Sequence, residues 1–194
     1  MSEHPVATAG DTLEEVRAAS ATCALCKLAG ARTQVVFGVG DPAANLMFVG
    51  EGPGEQEDLK GEPFVGRAGQ LLTQLIEGIG LTRADVYIAN VVKCRPPNNR
   101  DPAPVEIESC RPYLEEQIAL IDPSVIVTLG NFATKLLLDS GRGIRALRGQ
   151  VFEREGRHFV PTYHPAYVLR GGGEPMAEMR ADLVRAKRLL AGRP

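Results

Sequence analysis

Residues Leu46–Asp58 read LMFVGEGPGEQED. A short apolar run stops against glycines and a proline, and a cluster of carboxylates follows. An apolar run of this length, bounded by such punctuation, predicts a buried strand. Acids delivered just past its C-terminal end reach the edge where open α/β sheets bind ligands. The glycines let another group come close to the backbone.

Working outward, three more apolar runs occur at Val86–Val92, Val125–Leu129 and Phe159–Val160. Helical patterns at Ala68–Ile79 and Val105–Ile121 separate the first three, and Phe132–Leu138 follows the third. This alternation predicts a parallel sheet with helices on both faces. The runs lead into Gly50-Glu51-Gly52-Pro53-Gly54, Asn90, Gly130-Asn131 and Tyr163-His164-Pro165. Parallel strands bring an acid (Glu51), an amide (Asn90) and an imidazole (His164) to one rim. With 194 residues, 44% of them hydrophobic, the chain suits one domain over 1–194, with 1–10 a flexible tail. Thr12 and Glu15 stand at capping-box spacing and start a helix that leads into Cys23.

No apolar stretch is long enough to span a membrane. The N-terminus lacks the basic-then-apolar pattern of a secretory signal, so a cytoplasmic protein is expected. A net charge of −2 argues against a general nucleic-acid glue. Residues 140–194, however, hold 11 of the 22 Lys and Arg against only 5 acids, which suits a polyanion such as DNA. The Arg-rich helix at Met176–Arg193 reads as a solvated face. Arg142, Arg145 and Arg148, in a loop, are harder to read that way. The glycine turn lacks the Gly-Lys-Ser/Thr ending of a P-loop and is not GxGxxG, which disfavours nucleotide hydrolysis.

Each candidate residue has an ordinary reading beside a functional one. Glu55 fits a solvated loop, whereas Glu51 sits at a strand end. Phe64, among Gly and Pro, packs on the core or offers a stacking platform to a planar ligand. Asn90 makes a structural hydrogen bond or reads a ligand's amide edge with its acceptor and two donors. His164 is a core histidine or a site residue. Lys93–Arg100, KCRPPNNR, carries three bases and no acid, and reads as a loop facing solvent or phosphate. The four cysteines are Cys23 and Cys26 in a CxxC, and Cys94 and Cys110, each opening a Cys-Arg-Pro. Such a set in a cytosolic chain suggests a metal site, either zinc or an iron–sulfur cluster, over disulfides or inert thiols.

Together GEGPGEQED, PFVGRAGQLL, YIANVVKCRPPNNR, the four cysteines, VIVTLG and YHPAYVLR closely resemble the iron–sulfur (family 4) uracil-DNA glycosylases, from about Cys23 to Arg170. The resemblance implies a three-layer α/β/α sandwich around a short, about four-stranded parallel sheet. It also implies a monomer that hydrolyses uracil from DNA and leaves an abasic site, with no nucleotide cofactor. It implies a [4Fe–4S] cluster on Cys23, Cys26, Cys94 and Cys110. Glu51, Glu57 and His164 fall at catalytic positions; Gly52, Phe64, Asn90 and His164 fall at uracil-binding ones. Lys93, Arg95, Arg100 and Arg170 are expected to meet DNA. Many relatives carry an Asp water activator where this chain has Gly52, which leaves Glu51 and Glu57 as alternative holders of the water. The competing expectation is a non-catalytic metal-bearing DNA-binding module.

Overall fold

The computed structural model describes residues 12–191. The tail expected over 1–10 lies outside them. Six strands form one sheet: β1 (Val39–Gly40), β2 (Leu46–Gly50), β3 (Tyr87–Asn90), β4 (Val125–Leu129), β5 (Phe152–Arg154) and β6 (Arg157–Thr162). Their spatial order is β1-β3-β2-β4-β6-β5. The inner four are mutually parallel, as the alternation of strands and helices predicts. The edge strands β1 and β5 are antiparallel additions that the sequence reading did not contain. β5 escaped because its pattern is largely exposed and its pairing rests on a two-residue Glu155-Gly156 turn, both residues at positive φ.

Side chains alternate onto two cores. Met47, Val49, Tyr87, Ala89, Ile126 and Phe159 face one side. Leu46, Phe48, Ile88, Val125, Val127 and Val160 face the other. Such double-sided burial is why the strands read as continuous apolar runs. On the first face pack α1 (Leu13–Ala21), α4 (Pro104–Ile121) and α5 (Asn131–Leu138). On the second lie α3 (Arg67–Gly78), α7 (Pro165–Gly171) and α8 (Gly173–Ala191). Two short helices, α2 (Glu55–Lys60) and α6 (Ile144–Leu147), complete the α-helices among the described residues. The Thr12–Glu15 capping box forms as expected. α3 buries Leu71, Leu72, Leu75 and Ile76, the spacing that marks one helical face.

The register sets up the rim. Gly50 pairs with Asn90, so the strands β2 and β3 end side by side. Pairing continues beyond them, with Val91 N–H on the Gly50 carbonyl (2.9 Å) and Val92 N–H on the Glu51 carbonyl (3.0 Å). β4 runs out at Gly130, whose N–H meets the Thr162 carbonyl of β6. No helix among the described residues is long and apolar enough to cross a membrane.

Candidate active site

At the C-terminal ends of the parallel strands opens a cleft of about 450 Å³. Glu51, Gly52, Glu57, Phe64, Asn90, Arg100, His164 and Arg170 all line it. A second recess of about 490 Å³ shares Glu51, His164, Tyr167 and Arg170 with the first, so the two form one trough.

The floor is built by β2 and β3. Asn90 is buried, and its Oδ1 has no hydrogen-bond partner among the described residues. A buried carbonyl oxygen left alone costs on the order of 1–3 kcal/mol, and this one lies beside the cleft. A side chain on Gly50 would collide with both Asn90 Oδ1 and the Phe64 ring, each 2.5 Å from a Cβ built there. The glycine thus keeps open the space between amide and ring. Phe64 is both things the sequence allowed: 6% exposed, packed on the second core, and facing the cleft. Its ring centroid lies 5.7 Å from that of His164.

His164 is the N-cap of α7, and its Nδ1 accepts the Ala166 N–H at 3.2 Å. Burial, reinforced by Arg170, lowers its pKa to about 4. The ring is therefore neutral near pH 7. With Nδ1 occupied as an acceptor, the proton sits on Nε2 as a donor.

The two acids differ sharply. Glu57 is spent on the backbone: its Oε1 accepts the N–H groups of Val65 (2.9 Å) and Gly66 (2.8 Å), and its Oε2 accepts that of Gly54 (3.1 Å). It ties the glycine turn to the loop carrying Phe64, and those three bonds use most of the carboxylate's accepting capacity. The Glu51 carboxylate makes no hydrogen bond or ion pair among the described residues. Burial, then the charge of Asp101, raises its pKa to about 7. That is where a general base works best at neutral pH. At Gly52 a Cβ would come within 2.6 Å of Val92, so an acid cannot simply be added there. Asp58 belongs to neither role; it is buried and accepts the Thr33 N–H.

One DNA-contact expectation fails. Lys93 is 1% exposed, with its Nζ on the Asn90 carbonyl (2.7 Å) and on Gln117 Oε1. It cannot reach a phosphate. The loop after β3 turns back into the first core, where Val36 N–H binds the Lys93 carbonyl, and nothing in the local sequence signals that turn. Arg100 is exposed on the cleft wall, held in a bidentate pair by Glu106. Arg170 is exposed at the trough. Arg95 lies outside the lining and bonds Asn99. Of the arginines expected in a loop, Arg145 instead stands in α6, exposed at the trough and bonding Tyr167 Oη, whereas Arg148, just after α6, is tied to Glu178 and Asp182. Asp101, which the sequence reading did not single out, lines the second recess and acts on Glu51 through its charge.

Behind the cleft, Cys23, Cys26, Cys94 and Cys110 line one small cavity, although they come from three separate parts of the chain. Arg32 donates to Cys94 Sγ (3.3 Å), and the Lys93 N–H donates to Cys110 Sγ (3.2 Å). Burial raises the thiols of Cys26, Cys94 and Cys110, the last to about 12. Among the described residues no three His, Cys, Asp or Glu are arranged to hold a single metal ion.

The Uracil DNA glycosylase superfamily model matches residues 37–186. The chain is 47% identical over 167 residues to the Type-4 uracil-DNA glycosylase of Archaeoglobus fulgidus, covering 82% of this chain and 84% of the relative. It is 46% identical to the Type-4 uracil-DNA glycosylase of Thermotoga maritima, covering 85% and 88%. A Type-5 uracil-DNA glycosylase of Thermus thermophilus is 30% identical over 81% of this chain and 80% of its own.

Proposed function

The chain belongs to the uracil DNA glycosylase superfamily, and from that premise we propose that it hydrolyses the N-glycosidic bond of uracil in DNA, the opening step of base-excision repair. The observation that carries this reading is the orphaned Asn90 Oδ1 beside the Phe64 ring. A planar base with an N–H on its edge supplies what both groups lack.

The uracil nucleotide flips out of the stack, at a cost of a few kcal/mol. Phe64 stacks on its ring. Asn90 Oδ1 accepts the N3–H, and the amide nitrogen donates to O4. Cytosine has no N3 proton and offers a donor at C4, so the same amide rejects it. The neutral His164 donates from Nε2 to O2, where negative charge grows as the bond to N1 breaks. The Glu51 carboxylate accepts a proton from water as its oxygen bonds C1′. Uracil leaves with the glycosidic electron pair, and the sugar keeps the hydroxyl. Arg100 and Arg170, on the walls, hold the flanking phosphates.

The four cysteines suit a [4Fe–4S] cluster. Their thiols share a cavity, and two accept N–H bonds of the kind that stabilise cluster-bound sulfur. When bound, such a group supplies iron–sulfur bonds that cross-link the segment after α1 to the loop after β3 and to α4. We read the chain as a single-domain, monomeric, cytoplasmic protein acting on DNA.

The test is release of uracil from a single-uracil oligonucleotide with EDTA present, beside Asn90→Ala and a thymine control. Cleavage at uracil alone, with a loss of about a thousandfold or more in the variant, is expected. DNA binding without base release moves the assignment to the binding-module reading.

A further inference from the structure

Phe64 stands at φ 55°, a backbone conformation that bulky side chains rarely adopt. Something must hold it there, because relaxation to negative φ swings the ring. The peptides around it are gripped by opposite charges, the N–H groups by a carboxylate and the carbonyls by a guanidinium. After it, Glu57 accepts the N–H groups of Val65 and Gly66. On the carbonyls of Pro63 and Phe64, a guanidinium from far along the chain closes the other half. Arg83 Nη2 donates to the Pro63 carbonyl at 2.8 Å, and Nη1 donates to the Phe64 carbonyl at 3.1 Å. Nη1 also lies 3.4 Å from Thr73 Oγ1 on α3. Gly69 of the same helix sits so close beneath that a Cβ would overlap the Phe64 carbonyl. The turn is thus pinned from the helix side as well.

Arg83 occupies a short 3₁₀ turn, Arg83–Asp85, just before β3. It lines neither recess of the trough and makes no ion pair among the described residues. A half-buried guanidinium with no carboxylate partner, spending both ends of its fork on two consecutive carbonyls, is a costly arrangement for a surface arginine. What it secures is one strained turn. We propose that Arg83 is a positioning residue for the base-stacking ring, holding Phe64 in its strained conformation so that the platform is formed before the base arrives. This rests on the glycosylase reading of the cleft. Pre-organisation of this kind acts on binding of the flipped base, so its loss raises KM more than it lowers kcat.

The experiment is a double-mutant cycle in the cluster-loaded full-length chain. Uracil release and inhibition by free uracil are measured for wild type, Arg83→Met, Phe64→Ala and the double variant, with thermal melts of each. Arg83→Met should lower kcat/KM about tenfold, the worth of a charged hydrogen bond, mainly through KM. It should weaken free-uracil inhibition by a similar factor. In the Phe64→Ala background the same change should matter less than about twofold, since the ring it positions is gone. Arg83→Lys, which keeps the charge and one donor but not the fork, should fall between, and it carries the cycle if the methionine variant does not melt cooperatively. Additive effects, or a loss confined to kcat with unchanged uracil inhibition, overturn the positioning role while leaving the glycosylase intact. A wild-type chain that releases no uracil overturns the proposed function, and this inference with it.

Discussion

The rim of the cleft and the layer just behind it hold the same kinds of polar groups in opposite states. Lys93, buried behind the rim, and Glu57, in the cleft wall, have their polar atoms engaged. Lys93 bridges the Asn90 carbonyl and Gln117, and Glu57 accepts three backbone N–H groups. On the rim, neither Asn90 Oδ1 nor the Glu51 carboxylate has a partner among the described residues. Buried polar groups are costly unless satisfied, so in this cleft the satisfied ones read as scaffold and the unsatisfied ones stand open to a ligand. The difference separates two acids six residues apart that the sequence left interchangeable.

The strongest way to break that contrast is Glu51→Gln. On the general-base assignment, turnover should fall by about a hundredfold to ten-thousandfold. In wild type, kcat/KM should rise with pH to a plateau above about pH 7, because the base must be ionised and Glu51 titrates there. The variant's residual activity should lose that limb. His164, titrating near pH 4, leaves the neutral range untouched. Stability should move the other way. A folded pKa raised above the unfolded value favours the fold at low pH, and that contribution fades as pH climbs through about 7. Glu51→Gln should therefore melt a few degrees above wild type at pH 8 and close to it at pH 5.

Glu57→Gln tests the other half. It keeps one acceptor oxygen but sets an amide against one N–H, so the melting temperature should drop and kcat/KM fall about tenfold or less, with the limb near pH 7 intact. A loss as deep as that of Glu51→Gln, with the limb gone, would give the water to Glu57 after all.

Lys93→Met should act on stability rather than on DNA. It strips the Asn90 carbonyl and Gln117 Oε1 of their donor, at a cost of about 1–3 kcal/mol in denaturant unfolding, while the salt dependence of DNA affinity stays that of wild type. Arg170→Ala is the smallest change expected. Affinity should fall modestly at every sequence, and the salt slope should shrink by about one. An unchanged slope would remove Arg170 from the phosphate contacts.

The same contrast explains what could be read in advance. The parallel core was legible because strands buried on both faces must be apolar throughout, and β2 and β4 run out into glycines. The convergence of Glu51, Asn90 and His164 follows once the strands are parallel. The edge strands were not legible: β1 is two residues long, and β5 is mostly exposed. Lys93 misled for a related reason. Within KCRPPNNR it has the company of a phosphate-facing loop, but its side chain follows the chain inward to Gln117, twenty-four residues on.

The sequence by itself determined the four inner strands, the order of the motifs and the set of polar residues at one rim, because apolar periodicity and turn chemistry are local. Only the tertiary structure decided which of those groups are spent. It gave Glu57 to the backbone and left Glu51 free. It buried Lys93 and set Arg83 against a turn some twenty residues away in sequence. Partnership of a buried charge depends on what long-range packing brings within hydrogen-bond reach, and no window of sequence contains that information.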